Sequence, residues 1–329
     1  MNDELARWAA ERAPALRARA EAEAVATLRE ALVAAVLGER SRVTTGPAPA
    51  RPPAVRNRDT GDLLWAYCVM RASDAQPTDA PGIANGEPVK RVEAAGLAAL
   101  VSSVPRAEFG EEPLRQNLNE LAWLERIARA HEGVLDNALA GATIVPLRLC
   151  TLYENEERVR EMLARERGAF SAALDHLAGR QEWGVKVLLD EERLEQEAHA
   201  RIGGASEIDR DLDSRGSGGA YMLRRRFERE LREAAEALAS QAAEAIHASL
   251  SAFALDAVTR SPQNRDLSGH EGEMILNAAY LVAAERLDEV HELVRRLEDE
   301  HRAVGARIEI TGPWPPYNFV PGGGTATVA

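Results

Sequence analysis

The apolar residues of this chain change period in a fixed succession, and that succession limits the folds open to it. Leu63 to Met70 reads as a strand of aromatic and β-branched residues, followed by a long turn region ending in Asn85-Gly86. Val89 to Glu93 and Leu97 to Val104, separated by Ala-Ala-Gly, read as a hairpin. Over residues 114 to 139 the period lengthens, because Leu121, Leu124, Ala128, His131, Leu135 and Ala138 recur at steps of three and four and share one helix face. A strand through Thr143 to Tyr153 comes next. A helix from about Asn155 to Leu177, with Val159, Leu163, Phe170, Leu174 and Leu177 inward, and a strand from Trp183 to Leu189 complete the series. Strand, hairpin, helix, strand, helix, strand suits an antiparallel or mixed sheet with helices on one face, and a ferredoxin-like domain over residues 61 to 192 is its simplest form.

A second series begins after Gly203-Gly204 and Gly216-Ser217-Gly218-Gly219, glycines that suggest a flexible connection over residues 193 to 218. They are not a phosphate loop, since no strand leads directly into them. A helix from about Ala220 to His247 keeps Leu223, Phe227, Leu231, Leu238, Ala242 and Ile246 on one stripe. Strands at roughly Ala252 to Thr259 and Glu273 to Ala284 follow. A helix carrying Leu287, Val290, Val294, Leu297 and Val304 stops near Gly305 and feeds a strand from Arg307 to Thr311. Residues 219 to 320 are thus expected to form a second α+β domain, itself a variant of the split βαβ plan, and residues 321 to 329 a disordered tail.

The chain starts differently. Residues 1 to 40 are rich in Ala, Glu and Arg, with Val25, Leu28, Leu32 and Val36 at helical spacing, and read as a helical extension. Pro47, Pro49, Pro52 and Pro53 make residues 41 to 60 a linker.

Composition narrows the function classes. The net charge is −13, from 53 acidic and 40 basic residues, and would repel a phosphate backbone unless a basic patch overrode it. Arg224, Arg225 and Arg226 form the densest basic run, but Glu228, Glu230 and Glu233 share their helix, so a self-paired, solvated face is expected. Cys68 and Cys150 are the two cysteines, too few for a disulfide scaffold or a Cys-x-x-Cys metal site, and a reducing cytoplasm fits them. No apolar run reaches the roughly 20 residues that span a bilayer.

Catalytic and metal motifs fail on inspection. His131-Glu132 opens like a zinc-protease motif, but position 135 is Leu where a second histidine is required. His291 and His301, ten residues apart on one helix, do not project together. No Gly-x-Ser-x-Gly elbow marks a nucleophile. No catalytic residue, cofactor or metal ligand is therefore assigned. Arg148 places a permanent charge in the apolar run Ile144-Val-Pro-Leu-Arg-Leu-Cys, so it is expected to be buried and paired with Glu132 or another carboxylate, a substrate-binding role being the alternative. Trp314, Tyr317 and Phe319 are packed among prolines in Gly312-Pro-Trp-Pro-Pro-Tyr-Asn-Phe. They read as a strap across the second domain, or as anchors for a partner.

Several runs together resemble the gas vesicle protein family GvpF/GvpL. In the first half these are Leu64-Trp-Ala-Tyr-Cys-Val, Gly96-Leu-Ala-Ala-Leu-Val-Ser, Ala128-Arg-Ala-His-Glu, Val145-Pro-Leu-Arg-Leu-Cys-Thr and Glu182-Trp-Gly-Val-Lys-Val. In the second half they are Gly219-Ala-Tyr-Met-Leu-Arg-Arg, Asn277-Ala-Ala-Tyr-Leu-Val and Thr311-Gly-Pro-Trp-Pro-Pro-Tyr-Asn-Phe. The resemblance covers roughly residues 63 to 320. Cys150 stands where the family pattern has Gly, and the basic residue usual near Gly219 is missing.

The resemblance implies two ferredoxin-like or modified ferredoxin-like domains, no enzyme activity, and a place in the cytoplasm and the gas vesicle. It implies binding to the very hydrophobic major shell protein GvpA and to other gas vesicle accessory proteins, while the charge and the lack of a long apolar run leave neither nucleic acid nor membrane as an expected partner. Tyr221, Arg224 and Arg225 join His131, Glu132, Arg148 and the strap aromatics as structural or interaction candidates. The enzyme alternative is a small-molecule hydrolase or transferase using His131, Glu132 and Arg148 in a cleft. RNA binding on an exposed sheet is disfavoured by the acidic balance.

Overall fold

The computed structural model describes residues 61–74, 81–84, 87–202, 217–260 and 272–320. The expected helical extension, the proline linker, the 321–329 tail and the Asn85-Gly86 turn lie outside them. The fold is α+β with two antiparallel sheets, and the chain divides into two units, one of residues up to Ala178 together with Pro315 onward, the other of Gly179–Trp314.

The first unit is built on β1 (Leu63–Arg71), β2 (Lys90–Ala94) and β3 (Leu97–Val104), extended by β4 (Val145–Pro146) and β5 (Leu152–Tyr153). The order is β2-β3-β1-β4, with β5 also on β1 and every pair antiparallel. Leu63 through Met70 are all buried, as a strand apolar at successive positions must be to keep both faces from water.

The strand expected from Thr143 to Tyr153 is broken in two. Val145 and Pro146 pair with Val69 and Cys68, and Leu152 and Tyr153 with Trp65 and Leu64. Between the pieces the chain leaves the ladder. Thr151 donates its N–H to the Arg148 carbonyl at 3.2 Å, and Cys150 adopts a left-handed φ of 66°. Main-chain bonding to β1 runs on to Leu147, whose N–H donates to the Tyr67 carbonyl at 2.8 Å, and resumes where the Thr151 carbonyl accepts from the Ala66 N–H at 2.9 Å.

Helices cover this sheet. Short turns α1 (Arg106–Phe109) and α2 (Glu111–Asn117) precede α3 (Leu121–Leu139), so the helix expected over 114–139 is interrupted. Trp123, Leu124, Ile127, Ala128, His131, Val134, Leu135 and Ala138 form the buried face of α3, whereas Leu121, expected inside, is 58% exposed at its first turn. The helix expected from Asn155 to Leu177 also breaks, at Glu166, into α4 (Glu156–Arg165) and α5 (Arg167–Leu177). Asn155 caps α4 by accepting from the Arg158 N–H at 3.1 Å. Helix α4 packs on β2 and β3, and α5 on β1.

The second unit starts earlier than the sequence suggests. β6 (Arg180–Leu189) does not close the first sheet; it pairs antiparallel with β8 (Glu273–Ala283) and β9 (Arg307–Trp314), and β7 (Asp256–Arg260) completes the order β7-β8-β6-β9. The boundary expected near residue 192 therefore falls at 178/179. Alternation identifies β6 as a strand but carries no information about which sheet it joins.

The stretch expected to be flexible from 193 opens as a helix, α6 (Glu191–Arg201). Asp190 caps it by accepting from the Arg193 N–H at 3.0 Å, and Leu194 and Ala198 are buried against Leu238, Ala239 and Ala242. Those three belong to α7 (Ser217–Phe253), which runs past the expected end at His247 and so delays β7 to Asp256.

The core of this unit sets Trp183, Val185, Val187, Leu276, Tyr280 and Ile308 against Ile246 and Leu250 of α7. Val290, Leu293, Val294 and Leu297 of α8 (Leu287–Glu300) complete it. β9 holds Pro313 at the sheet edge, where a missing N–H is tolerated.

The aromatic strap is divided between the units. Trp314 ends β9, its Nε1 donating to Thr311 Oγ1 at 3.1 Å, whereas Pro315 to Val320 belong to the first unit. Tyr317 packs on the first unit's core, and Phe319 is buried. The expectation that all three rings fasten to the second domain is corrected accordingly.

Candidate functional site

The alternation of β1 sets Trp65 and Tyr67 on the face that α3 covers, and α3 brings His131 down onto them. Trp65 donates its Nε1–H to His131 Nδ1 at 3.0 Å, and the Tyr67 ring stacks on the imidazole with centroids 5.3 Å apart. His131 is fully buried. Because Nδ1 accepts, the proton of the neutral ring sits on Nε2, which has the Leu147 main chain as its polar neighbour but no hydrogen bond of normal geometry. Burial lowers the imidazole pKa to about 4, so the ring is neutral at physiological pH.

The network continues through Tyr67. Its hydroxyl shares a 2.7 Å hydrogen bond with Ser102 Oγ and accepts from the Ile83 N–H at 3.0 Å. The segment 81–84 can come this close because position 82 is Gly: a Cβ there would lie 2.6 Å from the Ser102 side chain and 2.7 Å from the Glu87 carbonyl. Trp65 also meets Phe109 edge-on at 5.7 Å, and Phe109 leads to Trp123, whose Nε1 donates to Glu108 Oε1 at 2.7 Å.

Glu132 follows His131 on α3 but faces other neighbours. Its Oε1 accepts from the Tyr317 hydroxyl at 3.2 Å. Burial and the nearby Asp136 carboxylate raise its pKa to about 7, and the Tyr317 hydrogen bond opposes the rise. Tyr317 is itself held well above the usual phenol range by burial and by Glu132.

Arg148 is placed differently from what its apolar run suggests. It is exposed in the turn between β4 and β5, so the expectation of a buried arginine is corrected. The physical reason is the turn that follows Leu147, closed by the Thr151 N–H on the Arg148 carbonyl, which ends the alternation that would have turned residue 148 inward. Of the three, His131 is fully buried, Glu132 half-buried and Arg148 exposed. Among the described residues, no group of three or more His, Cys, Asp or Glu side chains is placed to hold a metal ion, and no helix is long and apolar enough to cross a membrane.

Tyr221, Arg224 and Arg225 lie together at the start of α7, all exposed, with the Arg225 guanidinium 5.7 Å from the centroid of the Tyr221 ring. Ser102, Gly82 and the Trp65–His131 bond escaped the sequence reading. The i, i+2 spacing of Trp65 and Tyr67 in a strand signals a shared face, but nothing local pairs that face with His131.

Residues 63–321 match the family model described as gas vesicle synthesis protein GvpL/GvpF. Gas vesicle protein L of Streptomyces sp. (strain CB03234) is 37% identical over 262 residues, covering 79% of this chain and 93% of that protein. Gas vesicle protein L1 of Halobacterium salinarum is 26% identical over 287 residues, covering 84% and 97%. The crystal structure of GvpF from Anabaena sp. PCC7120 superposes with a TM-score of 0.53 at 21% identity, covering 79% of this chain and 96% of that one.

Proposed function

The chain belongs to the GvpL/GvpF family of gas vesicle synthesis proteins, and from that premise we propose that it is a cytoplasmic accessory or minor structural protein that binds the major shell protein GvpA and supports vesicle assembly. Its family is one of gas vesicle structural and accessory proteins, not of enzymes, and takes part in gas vesicle formation. The observation that carries the reading is the extent of the match, which spans both units from β1 to the end of the strap. The buried polar groups support it. His131 is bonded by Trp65, Tyr67 by Ser102 and the Ile83 N–H, and Glu132 by Tyr317, as residues that hold a scaffold are.

A binding role fits the physical problem of assembly. A very hydrophobic shell subunit needs its apolar surface covered until it is added to the wall. Other gas vesicle accessory proteins are further proposed partners.

The fold reading belongs with this. Strand β6, helices α6 and α7, the β7–β8 hairpin, helix α8 and strand β9, in the order β7-β8-β6-β9, support a ferredoxin-like plan for the second unit. The same strand order in the first unit, with no helix described between β1 and β2, supports a modified version there.

Co-expression with the shell protein tests the proposal. The expected result is shell protein kept soluble in complex with this chain; a shell protein that stays insoluble and unbound overturns it. Recovery of the chain in washed, intact vesicles marks a wall component, and its loss on washing a transient chaperone.

A further inference from the structure

Past Trp314 the chain is held by side chains and not by a strand ladder. The pairing of β9 with β6 runs as far as Trp314, opposite Glu182, and the boundary between the units falls at the next bond. Pro315 and Pro316 then stiffen the segment, which lowers the entropy lost when it seats. Pro315, Pro316 and Phe319 are buried, and Tyr317 is half-buried on the first unit's core. The N–H groups of Tyr317 and Phe319 donate to the carbonyls of Pro315 and Pro316, at 2.7 and 3.3 Å, so these main-chain bonds close within the segment itself. A segment of this kind can leave its seat without disturbing a sheet.

The seat contains a titratable group. Glu132 accepts from the Tyr317 hydroxyl at 3.2 Å and stands one turn of α3 before Asp136. The Cys68 thiol of β1, kept protonated by burial, lies near Tyr317. His131, the preceding residue of α3, is neutral and bonded to Trp65. Among the described residues Glu132 thus meets a hydroxyl and a like charge, and no cation pairs with it. Protonated, it is covered at little cost. Ionised, it must stay covered beside a second carboxylate or be hydrated by lifting the segment. Burial and Asp136 accordingly raise its pKa from 4.5 to about 7, against the opposing effect of the Tyr317 bond.

We propose that residues 315–320 are a proton-controlled clasp, seated on the first unit while Glu132 is protonated and released when Glu132 ionises. The released form holds the proton less tightly, so opening increases as pH rises from 4.5 and levels off at about 7. Release bares Tyr317, Phe319 and the core surface beneath them, so the clasp hides an apolar face in acid and offers it near neutrality.

Hydrogen exchange on the full chain tests this, with the rates of amides 317–320 divided by their intrinsic rates at each pH. Protection of these amides is expected to fall about tenfold or more between about pH 5.5 and about pH 8, since each unit of pKa difference is worth a factor of ten. In Glu132→Gln the same amides should keep one level of protection across that range. Asp136→Asn removes the like charge, so its fall should begin and end at lower pH than in the wild type. Wild-type protection that does not change with pH overturns the proposal, as does an equal fall in Glu132→Gln. If that variant does not fold, an unshifted response in Asp136→Asn overturns it instead. Clasp amides as protected at pH 8 as amides 64–69 of β1 would show that the segment leaves only when the whole unit unfolds, which also overturns it.

Discussion

The Tyr317 hydroxyl donates to Glu132 Oε1 at 3.2 Å, joining side chains 185 positions apart and fastening the aromatic segment after Trp314 within the first unit. Glu132 is held up to about 7 by burial and by Asp136, so its folded pKa lies above its unfolded value. Its contribution to stability is fully present below the unfolded pKa, near 4.5, and is lost as pH rises to about 7. His131, held down at about 4 by burial, works oppositely, its contribution being present above about 6.5 and lost as pH falls to about 4. Between these limits the two slopes oppose each other. Glu132→Gln removes one of them, so the variant should match the wild type near pH 4.5 and exceed it by up to about 3 kcal/mol near pH 7.5. Melting curves of both proteins across that range check this, and a stability difference independent of pH contradicts it.

Trp65→Phe keeps a ring in the core but takes away the donor that His131 Nδ1 accepts from. A buried acceptor is then left bare in a site without water access, at a cost of about 2 kcal/mol. His131→Leu in the same background should recover part of that loss, because the stranded polar atom is gone. A double-mutant cycle by urea denaturation measures the coupling, and strictly additive effects refute it.

Local pattern carried the first links of the argument well and the long-range ones poorly. The existence and type of β1, β3, β8, α8 and β9 follow from periodicity, because burial on one or both faces imposes it. The partner sheet of β6 does not follow, since ladder hydrogen bonds are made by backbone common to every residue. His131 is recognisable as an inward histidine from its α3 spacing, yet its bond to Trp65 spans 66 positions with no local sign. Arg148 shows the opposite failure. Its apolar neighbours suggested burial, and the turn that follows Leu147 set it outward.

Gly82 is defined by close approach. A methyl group there meets the Ser102 side chain at 2.6 Å and the Glu87 carbonyl at 2.7 Å, so backbone must move. That movement also pulls the Ile83 N–H from the Tyr67 hydroxyl. Gly82→Ala is expected to cost about 2 kcal/mol or more, by overpacking and by the lost hydrogen bond together. Chemical denaturation measures it, and a neutral result shows that the segment is free to shift.

Cys150 offers the sharpest test of what one backbone position requires. The residue sits at φ 66°, a conformation that Gly adopts freely and that sets the Cβ of other residues too close to the following carbonyl. Its thiol, partly buried on the first core, is pushed up to about 12 by that burial, so it behaves as a small apolar group and not as a nucleophile. Cys150→Gly relieves the backbone strain while losing the packing of one sulfur and gaining entropy in the unfolded chain. These opposing terms are each about 1 kcal/mol, and the variant should melt within a few degrees of the wild type. Cys150→Val keeps the strain and adds a branched Cβ where the left-handed region tolerates it least, so a loss of about 2 kcal/mol is expected. If the Val variant is as stable as the Gly variant, the left-handed turn between β4 and β5 is not what the position requires.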